Sequence, residues 1–455
     1  MDTPFLYPLH ESADFLVRHC KLPPHIGTGS AANHGDPNNP LAQLVKHFQL
    51  ARRQKVTGRS EDTFCGTFLF PAAGDCLFLL HGEAAGQLSR EFGKGLTLQG
   101  NSADGWFELS CPEYYVKAVS GRKEQPAWAI GTPVNCPATI TYRSSRPIAR
   151  VCATINNFDF EHGNVPTVGK CGGGVEILRV AAAGRVVDFA WRDGHQELRR
   201  LVDAGVVLTT SLTTFSFVAW PGAAEPDLTQ FAFDIASLCA VVARQHTGVA
   251  VLSFLDEEGR PIKRIACNPV ESPIRGDYVI QFLHFDSGLP QLFQEGFDEH
   301  VRMQQSDLWR RLPFLCAAIE DSPYLEQKYA TLMAGVEFLI RSSLLEGGHC
   351  SAEEGEKLKL PDLLGAARAK LGWTIPKHYT AKERHRHLRN AVAHGGDLPG
   401  DGTTVRRQFD KWHLFLLRRV LGRLGYTGEV ASPSAGWASS SAVDDFSEEH
   451  NAFGT

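Results

Sequence analysis

The chain has 455 residues, of which 43% are hydrophobic and 21% charged, and its formal net charge is −5. This length suits two or three domains of about 150 residues each, and the composition is that of an ordinary globular protein. The sequence contains no run of about 18 apolar residues, so no membrane-spanning helix is predicted. The opening MDTPFLYPLHESADF lacks the basic start and apolar core of a secretory signal, so we expect a cytoplasmic protein without a membrane partner.

Cysteine usage also indicates a reducing compartment. The eleven cysteines are scattered, odd in number, and include no Cys-x-x-Cys pair. This pattern predicts free thiols that serve mainly as small buried hydrophobic side chains.

The first 285 residues begin with a loop-rich region and continue with a region of predicted strands. A Pro/Gly/Asn-rich stretch and one amphipathic helix, LAQLVKHFQLARRQ, come first. From about Thr63 to Phe285, short apolar runs such as TFCGTFLF and WFELSCP alternate with turn residues, which predicts antiparallel strands in a sandwich or barrel. A helix, DLTQFAFDIASLCAVVARQH, interrupts them, and a hairpin with its turn at Asp256–Gly259 follows.

From Leu289 onward the sequence pattern becomes helical, and two long helices are predicted there. Each has apolar side chains at three- and four-residue spacing, which places them on one face. The stripes are Leu325, Tyr329, Leu332, Val336 and Leu339 in the first helix, and Val405, Phe409, Trp412, Leu416 and Val420 in the last.

Two shorter helices lie between them in the sequence. Pro361 opens one, and Gly372 ends it. Thr380 and Glu383 have the spacing of a capping box at the start of the other, which ends at Gly395–Gly396. Four helices with narrow apolar faces and short links predict a small bundle.

These elements together predict an α+β multidomain protein, with an antiparallel β sandwich or barrel-like region followed by a four-helix bundle. The last residues, rich in Ser and acids, predict a disordered tail. The segments are a helical and loop segment at 1–60, a β-rich domain at 61–288, connecting helices at 289–323, the bundle at 324–430 and an acidic tail at 431–455.

Basic residues concentrate in the second half of the bundle. Between Lys377 and Arg423 there are eleven Lys or Arg and four acids, a local charge of +7 in a chain of −5. Such a segment can bind phosphate groups, although a solvated helix surface has the same composition. The candidates for binding RNA are Arg384, Arg386, Arg406 and Arg407, together with Arg418, Arg419 and Arg423.

The segment RNAVAHGG, Arg389 to Gly396, combines residue types suited to RNA cleavage without a metal. On a helix, Asn390 and His394 lie about 40° apart, and Arg389 can reach the same region. Histidine can transfer a proton, arginine can bind the phosphate, and asparagine can orient the ring or the ribose. Attack by the substrate's 2′-hydroxyl would give a 2′,3′-cyclic phosphate and a 5′-hydroxyl. Alternatively, Arg389 and His394 merely cap carbonyls at the helix end.

LRNAVAHG resembles the R-x4-6-H signature of HEPN ribonucleases, including the polar residue after the arginine. The resemblance covers roughly Tyr324 to Tyr426 and implies a metal-independent endoribonuclease that acts as a homodimer, each subunit supplying one histidine. The β-rich front is similar to that of ApeA-type abortive-infection proteins. This implies antiphage defence, RNA and plausibly tRNA as substrate, and a phage-derived trigger on the N-terminal domain. Glu337 is similar to an acidic position of related HEPN domains.

Other candidates are weaker. His385 and His387 point about 200° apart on a helix and cannot share a metal ion. His349, Cys350, Glu353 and Glu354 form at most a weak metal candidate, so no metal and no cofactor are predicted. The alternative function is a catalytically inactive HEPN dimerisation module attached to a β-rich receptor for a ligand or protein.

Overall fold

The fold is taken from a computed structural model. The described residues are 54–57, 63–69, 77–81, 96–102, 105–111, 114–119, 128–133, 138–159, 177–191, 195, 212–267, 280, 285–321, 324–375, 402–428 and 430. Side chains are described within these ranges from residue 106 onward, except those of 114–119 and 128–133 and of a few helical positions.

Fourteen described strands form one antiparallel sheet in the order β10-β11-β12-β9-β13-β14-β8-β5-β4-β1-β2-β3-β7-β6. The first strand lies within the segment predicted to be helix and loop, so the sheet starts earlier than the sequence indicated. The strands are β1 (Gln54–Thr57), β2 (Thr63–Leu69), β3 (Leu77–His81), β4 (Leu96–Ser102), β5 (Gly105–Cys111), β6 (Tyr114–Val119), β7 (Trp128–Pro133), β8 (Ala138–Tyr142), β9 (Arg150–Asn156), β10 (Ile177–Ala182), β11 (Arg185–Trp191), β12 (Thr213–Val218), β13 (Gly248–Leu255) and β14 (Pro261–Ala266).

Most of the described helices lie where the sequence predicted them, although Ala352–Lys357 is a helix that was not predicted. With the sheet, they make the protein α+β. The predicted hairpin is confirmed as β13 and β14, with Gly259 in its turn at φ +75°. The described helices are α1 (Glu225–Ala243), α2 (Phe285–Gln304), α3 (Asp307–Arg310), α4 (Leu312–Asp321), α5 (Leu325–Glu346), α6 (Ala352–Lys357), α7 (Leu360–Lys370) and α8 (Gly402–Arg423).

Helices cover one face of the sheet in the part that contains strands β9 to β13, which are neighbours at one end of the sheet. Burial alternates along β10 and β12, as the two-residue period of a strand requires. Helix α1 packs on β9 and β13, and α2 packs on β10. Phe189 and Phe293 meet edge to face, with ring centroids 5.7 Å apart. In this part the sheet is thus paired with helices, where the sequence predicted an antiparallel sandwich or barrel-like region.

Helix α1 is apolar because it is a core helix. Its start is fixed by the Asp227 carboxylate, which accepts a hydrogen bond from the Ala224 N–H at 3.0 Å. Its length and composition would allow it to cross a membrane, but 67% of that apolar stretch is buried inside the protein. Cys239, near its end, is a buried free thiol, as predicted for the cysteines.

Three of the four predicted bundle helices are described, and they pack together. Helix α5 contacts α7 and α8. Gly335 of α5 lies close to α8, where an added Cβ would stand 3.3 Å from Leu416 Cδ2. Gly372 follows α7 with φ +67°, the conformation that glycine adopts most readily. The third predicted helix, Thr380 to His394, lies outside the described residues.

The second half of the β-rich part, strands β9 to β13, shares one hydrophobic core with the helices. Buried side chains of β9, α1, α2, α4, α5 and α8 belong to one contiguous cluster. The boundary predicted between residues 288 and 289 falls inside α2. Strands β9 to β13 therefore have no interior separate from that of the helices.

Candidate functional site

The predicted catalytic residues Arg389, Asn390 and His394 lie outside the described residues. Their chain neighbours are fixed on both sides: buried Ile375 is the last described residue before them, and α8 begins at Gly402 after them. Arg384 and Arg386, predicted to bind RNA, also lie outside the described residues, as do segments 1–53 and 431–455.

Glu337 is described and lies on α5, in the bundle. Its carboxylate is largely buried and pairs with Arg341 at 3.5 Å, the i,i+4 geometry of an ordinary helix pair. Arg341 also donates to the carbonyl oxygen of Leu358 at 3.0 Å. Glu337 thus holds Arg341, which in turn ties α5 to the segment before α7.

The basic residues of α8 have different environments. Arg406 is exposed and pairs with Asp410 at 3.2 Å. The backbone of Arg407 lies in the same first half of α8. Arg418 is buried and is therefore not a surface contact for RNA. Arg423 pairs with Glu346, and Arg419 lies over the ring of Trp373 at 5.1 Å.

The weak metal candidate near His349 has a structural explanation. Ser351 caps α6, and Glu354 accepts a hydrogen bond from the Ser351 N–H at 2.8 Å. Glu353 pairs with Lys357 at 2.6 Å. Across the ranges that the structure describes, no group of three or more His, Cys, Asp or Glu side chains is arranged to hold a metal ion.

A buried charge cluster joins the β-rich part to the bundle; we define it as Arg244, Glu320, Lys328, Asp410 and His413. Glu320 on α4 is its centre, with Arg244 at 2.9 Å, Lys328 at 3.2 Å and His413 at 3.5 Å. Arg244 is the C-cap of α1 and only 4% exposed. The cluster therefore connects α1, α4, α5 and α8.

Burial and charge act in opposite directions on Glu320. Burial alone would raise the pKa of its carboxyl group, but the positive charges of Arg244 and Lys328 hold that pKa below the ordinary value. Asp410 has a raised pKa because burial, together with the nearby Glu320 charge, outweighs the attraction of Arg406. The centre of the cluster is thus an ionised carboxylate surrounded by cations.

His413 is neutral in this cluster. Its side chain is 0% exposed, and burial with the nearby Arg244 charge lowers its pKa to about 3. Neither ring nitrogen has a hydrogen-bond partner among the described residues. A histidine so enclosed has no access to RNA, so it cannot replace His394 as a proton-transfer group.

A second polar pair is buried beside the sheet. His195 Nε2 lies 2.7 Å from Asp159 Oδ1, and the His195 ring stacks on Trp191 with centroids 4.4 Å apart. A carboxylate fixes the tautomer and orientation of a histidine in this geometry. The described residues bring no nucleophile or metal ligand to this pair.

The sequence analysis did not find Arg244, Glu320, Asp159 or His195. Arg244 and Glu320 are 76 positions apart, and no spacing rule relates them. The one available signal was an arginine at the end of a predicted apolar helix, which ordinarily indicates a solvated terminus.

The chain matches no protein-family profile, curated protein sequence or solved structure.

Proposed function

We propose that the protein is a metal-independent endoribonuclease whose C-terminal bundle is of HEPN type. The observation that carries the proposal is the position of RNAVAHGG between α7 and α8, two helices that pack on α5. A helix added between them would complete the predicted bundle. A signature of six residues is weak evidence alone. Its position between two helices of the predicted bundle makes the evidence stronger.

Each residue of the signature has a defined task in the proposed reaction. Arg389 binds the scissile phosphate and stabilises its developing charge, and Asn390 orients the imidazole or the ribose. His394 transfers a proton as the substrate's 2′-hydroxyl attacks phosphorus and the 5′-oxygen leaves. A two-fold dimer would supply a second histidine, so that one acts as base and the other as acid. Arg406 and Arg407 would contact the RNA backbone.

The β-rich part would control the nuclease in an abortive-infection response to a phage-derived trigger. The buried charge cluster supports this arrangement because Arg244 belongs to α1, and α1 packs on the sheet. A trigger that moves α1 would therefore act on α4 and, through Lys328 and His413, on the bundle. The substrate is RNA, with tRNA as the favoured class, and the compartment is the cytoplasm.

Sequencing of 5′-hydroxyl RNA ends tests the proposal. Cells expressing wild-type protein, with and without phage, are compared with cells expressing Arg389→Ala or His394→Ala. His385→Ala is the matched control, because on the predicted helix it removes an imidazole about 180° from His394. Discrete new ends are expected with wild type and His385→Ala only. Equal ends with all four proteins would contradict the proposal.

A catalytically inactive bundle with a receptor function is the second candidate. The specific observation that favours it is a cavity of about 630 Å³ beside the buried charge cluster. If His394→Ala leaves phage restriction and dimerisation intact, this second function is correct and the nuclease proposal is wrong.

A further inference from the structure

A cavity of about 630 Å³ lies where α1, α2 and α4 meet the start of β13. This volume is in the usual range for sites that bind small molecules. Its wall includes the loop Gln245–Gly248, which directly follows Arg244 of the buried charge cluster. The cavity is thus located between the β-rich part and the connecting helices, next to a residue of the buried charge cluster.

Aromatic side chains line this cavity and are unusually exposed. Phe233 on α1 is 39% exposed and Phe314 on α4 is 56% exposed. They are two of the five large hydrophobic side chains that the described residues leave exposed. The His246 ring lies 5.9 Å from the Phe314 ring. Apolar rings that face a cavity are suited to stacking on a flat ligand.

The polar groups of the cavity can both accept and donate hydrogen bonds. Asp234 is buried and accepts from Gln230 Nε2 at 2.8 Å. Burial raises the pKa of the Asp234 carboxyl, although the Gln230 hydrogen bond opposes that shift. The side-chain amides of Gln304 and Gln305 supply further donors and acceptors. A ligand with N–H groups along a flat edge matches this lining.

One cation completes the lining. Arg310, at the end of α3, is exposed and borders the same cavity. A guanidinium group binds phosphate through two parallel N–H donors. The cavity therefore combines aromatic faces, a carboxyl group and amides for a heterocycle with a cation for an anionic substituent.

We propose that this cavity binds a nucleoside 5′-monophosphate. The base stacks on Phe314 and directs its N–H donors to Asp234, and the phosphate lies against Arg310. A mononucleotide is favoured over a nucleic acid strand because Arg310 is the one Lys or Arg among the described residues that line the cavity, and a strand needs several such contacts along its backbone. Binding is a property of the cavity and does not depend on the proposed nuclease activity.

The location gives the ligand a structural consequence. His246 lines the cavity and also pairs with Asp321 on α4 at 3.2 Å. Arg244, two residues earlier, pairs with Glu320 on the same helix. A ligand seated against this loop therefore contacts the segment that connects α1 to α4.

The test is isothermal titration of the purified full-length protein with GMP, AMP, guanosine and inorganic phosphate. GMP is expected to bind best, since guanine presents two adjacent N–H donors to one carboxyl group. Phe314→Ala should weaken GMP binding by about tenfold, the usual scale of base–aromatic stacking. Tyr324→Ala, which removes another exposed aromatic ring outside the cavity, is the matched control and should have no effect.

Two further variants separate the contributions of phosphate and base. Arg310→Gln should weaken GMP but leave guanosine unchanged, and Asp234→Asn should weaken both. Circular dichroism establishes that the variants remain folded. Absence of nucleotide binding at millimolar concentration would overturn the proposal, as would GMP binding that is equal in wild type and Phe314→Ala. Binding of a short single-stranded RNA without binding of any mononucleotide would also overturn it.

Discussion

At the residue scale, the unusual backbone conformation of Arg244 positions its side chain for an ion pair with Glu320. Its φ of +51° places a non-glycine residue in the left-handed region, which costs of order 1 kcal/mol. That conformation ends α1 and directs the guanidinium group to Glu320. Since the pair is buried, each partner depends on the other for its charge balance.

Replacement of Glu320 by Gln should therefore destabilise the protein. We expect the free energy of unfolding at pH 7 to fall by roughly 3 kcal/mol, because the buried Arg244 and the partly buried Lys328 lose their counter-charge. The folded pKa of Glu320 is lowered, so its stabilisation exists above the unfolded pKa of about 4.3 and is lost as pH falls through the folded value. Urea unfolding at pH 7 and near pH 4 measures both effects, with exposed Glu326→Gln as control.

His413 should make the protein sensitive to acid. The unfolded chain binds its proton near pH 6.5, whereas the folded pKa is about 3, so stability decreases as pH falls through this window. His300, with a pKa lowered by burial to about 4, adds to the decrease. Unfolding free energies from pH 7 to 4 should fall less steeply in His413→Gln. The exposed His349→Gln should match wild type, and equal slopes in both variants would contradict the argument.

At the scale of elements, the bundle depends on the close contact between α5 and α8. Gly335 is buried on the face of α5 that meets Leu416, so α8 can approach. The neighbouring Ala334 is exposed on another face of the same helix. These two positions provide a matched pair for testing the contact.

Gly335→Leu should destabilise the protein, and Ala334→Leu should not. A leucine at position 335 overfills the interface, at a cost of about 1–3 kcal/mol in spite of better helix propensity. At position 334 it adds apolar surface on the solvent side, with an effect within about 0.5 kcal/mol. Urea denaturation of both variants measures this, and equal midpoints would show that α8 does not pack as described.

At the scale of the whole molecule, the shared core joins strands β9 to β13 and the helices in one folding unit. Side chains of α1, α4 and α5 are buried against each other, and the buried charge cluster crosses the same junction. The β-rich part therefore helps to form the interior on which the bundle rests.

The isolated bundle, residues 324–430, should consequently be much less stable than the full chain. Separation exposes the face of α5 that packs on α4, and it removes Glu320 and Arg244 from Lys328 and His413. Near-UV circular dichroism and thermal unfolding of the fragment and the full chain are the measurements. Cooperative unfolding of the fragment at the midpoint of the full chain would contradict the prediction.

Local patterns in the sequence determined the positions and ends of several helices and of one hairpin turn. The apolar stripe of α5, Pro361 and Gly372 at the ends of α7 and the turn before Pro261 each depend on residues close together in the chain. The same kind of local spacing yielded the signature Arg389, Asn390 and His394, which stays a prediction.

Only the tertiary structure decided how those elements meet. It placed helices on the sheet face around β9 to β13, made Arg418 a buried residue, and joined Arg244 to Glu320 across 76 positions. It also formed the cavity from α1, α2 and α4. The reason is physical: periodicity and capping report which face of an element is apolar, whereas pairing between distant elements depends on packing and charge balance that no local window contains.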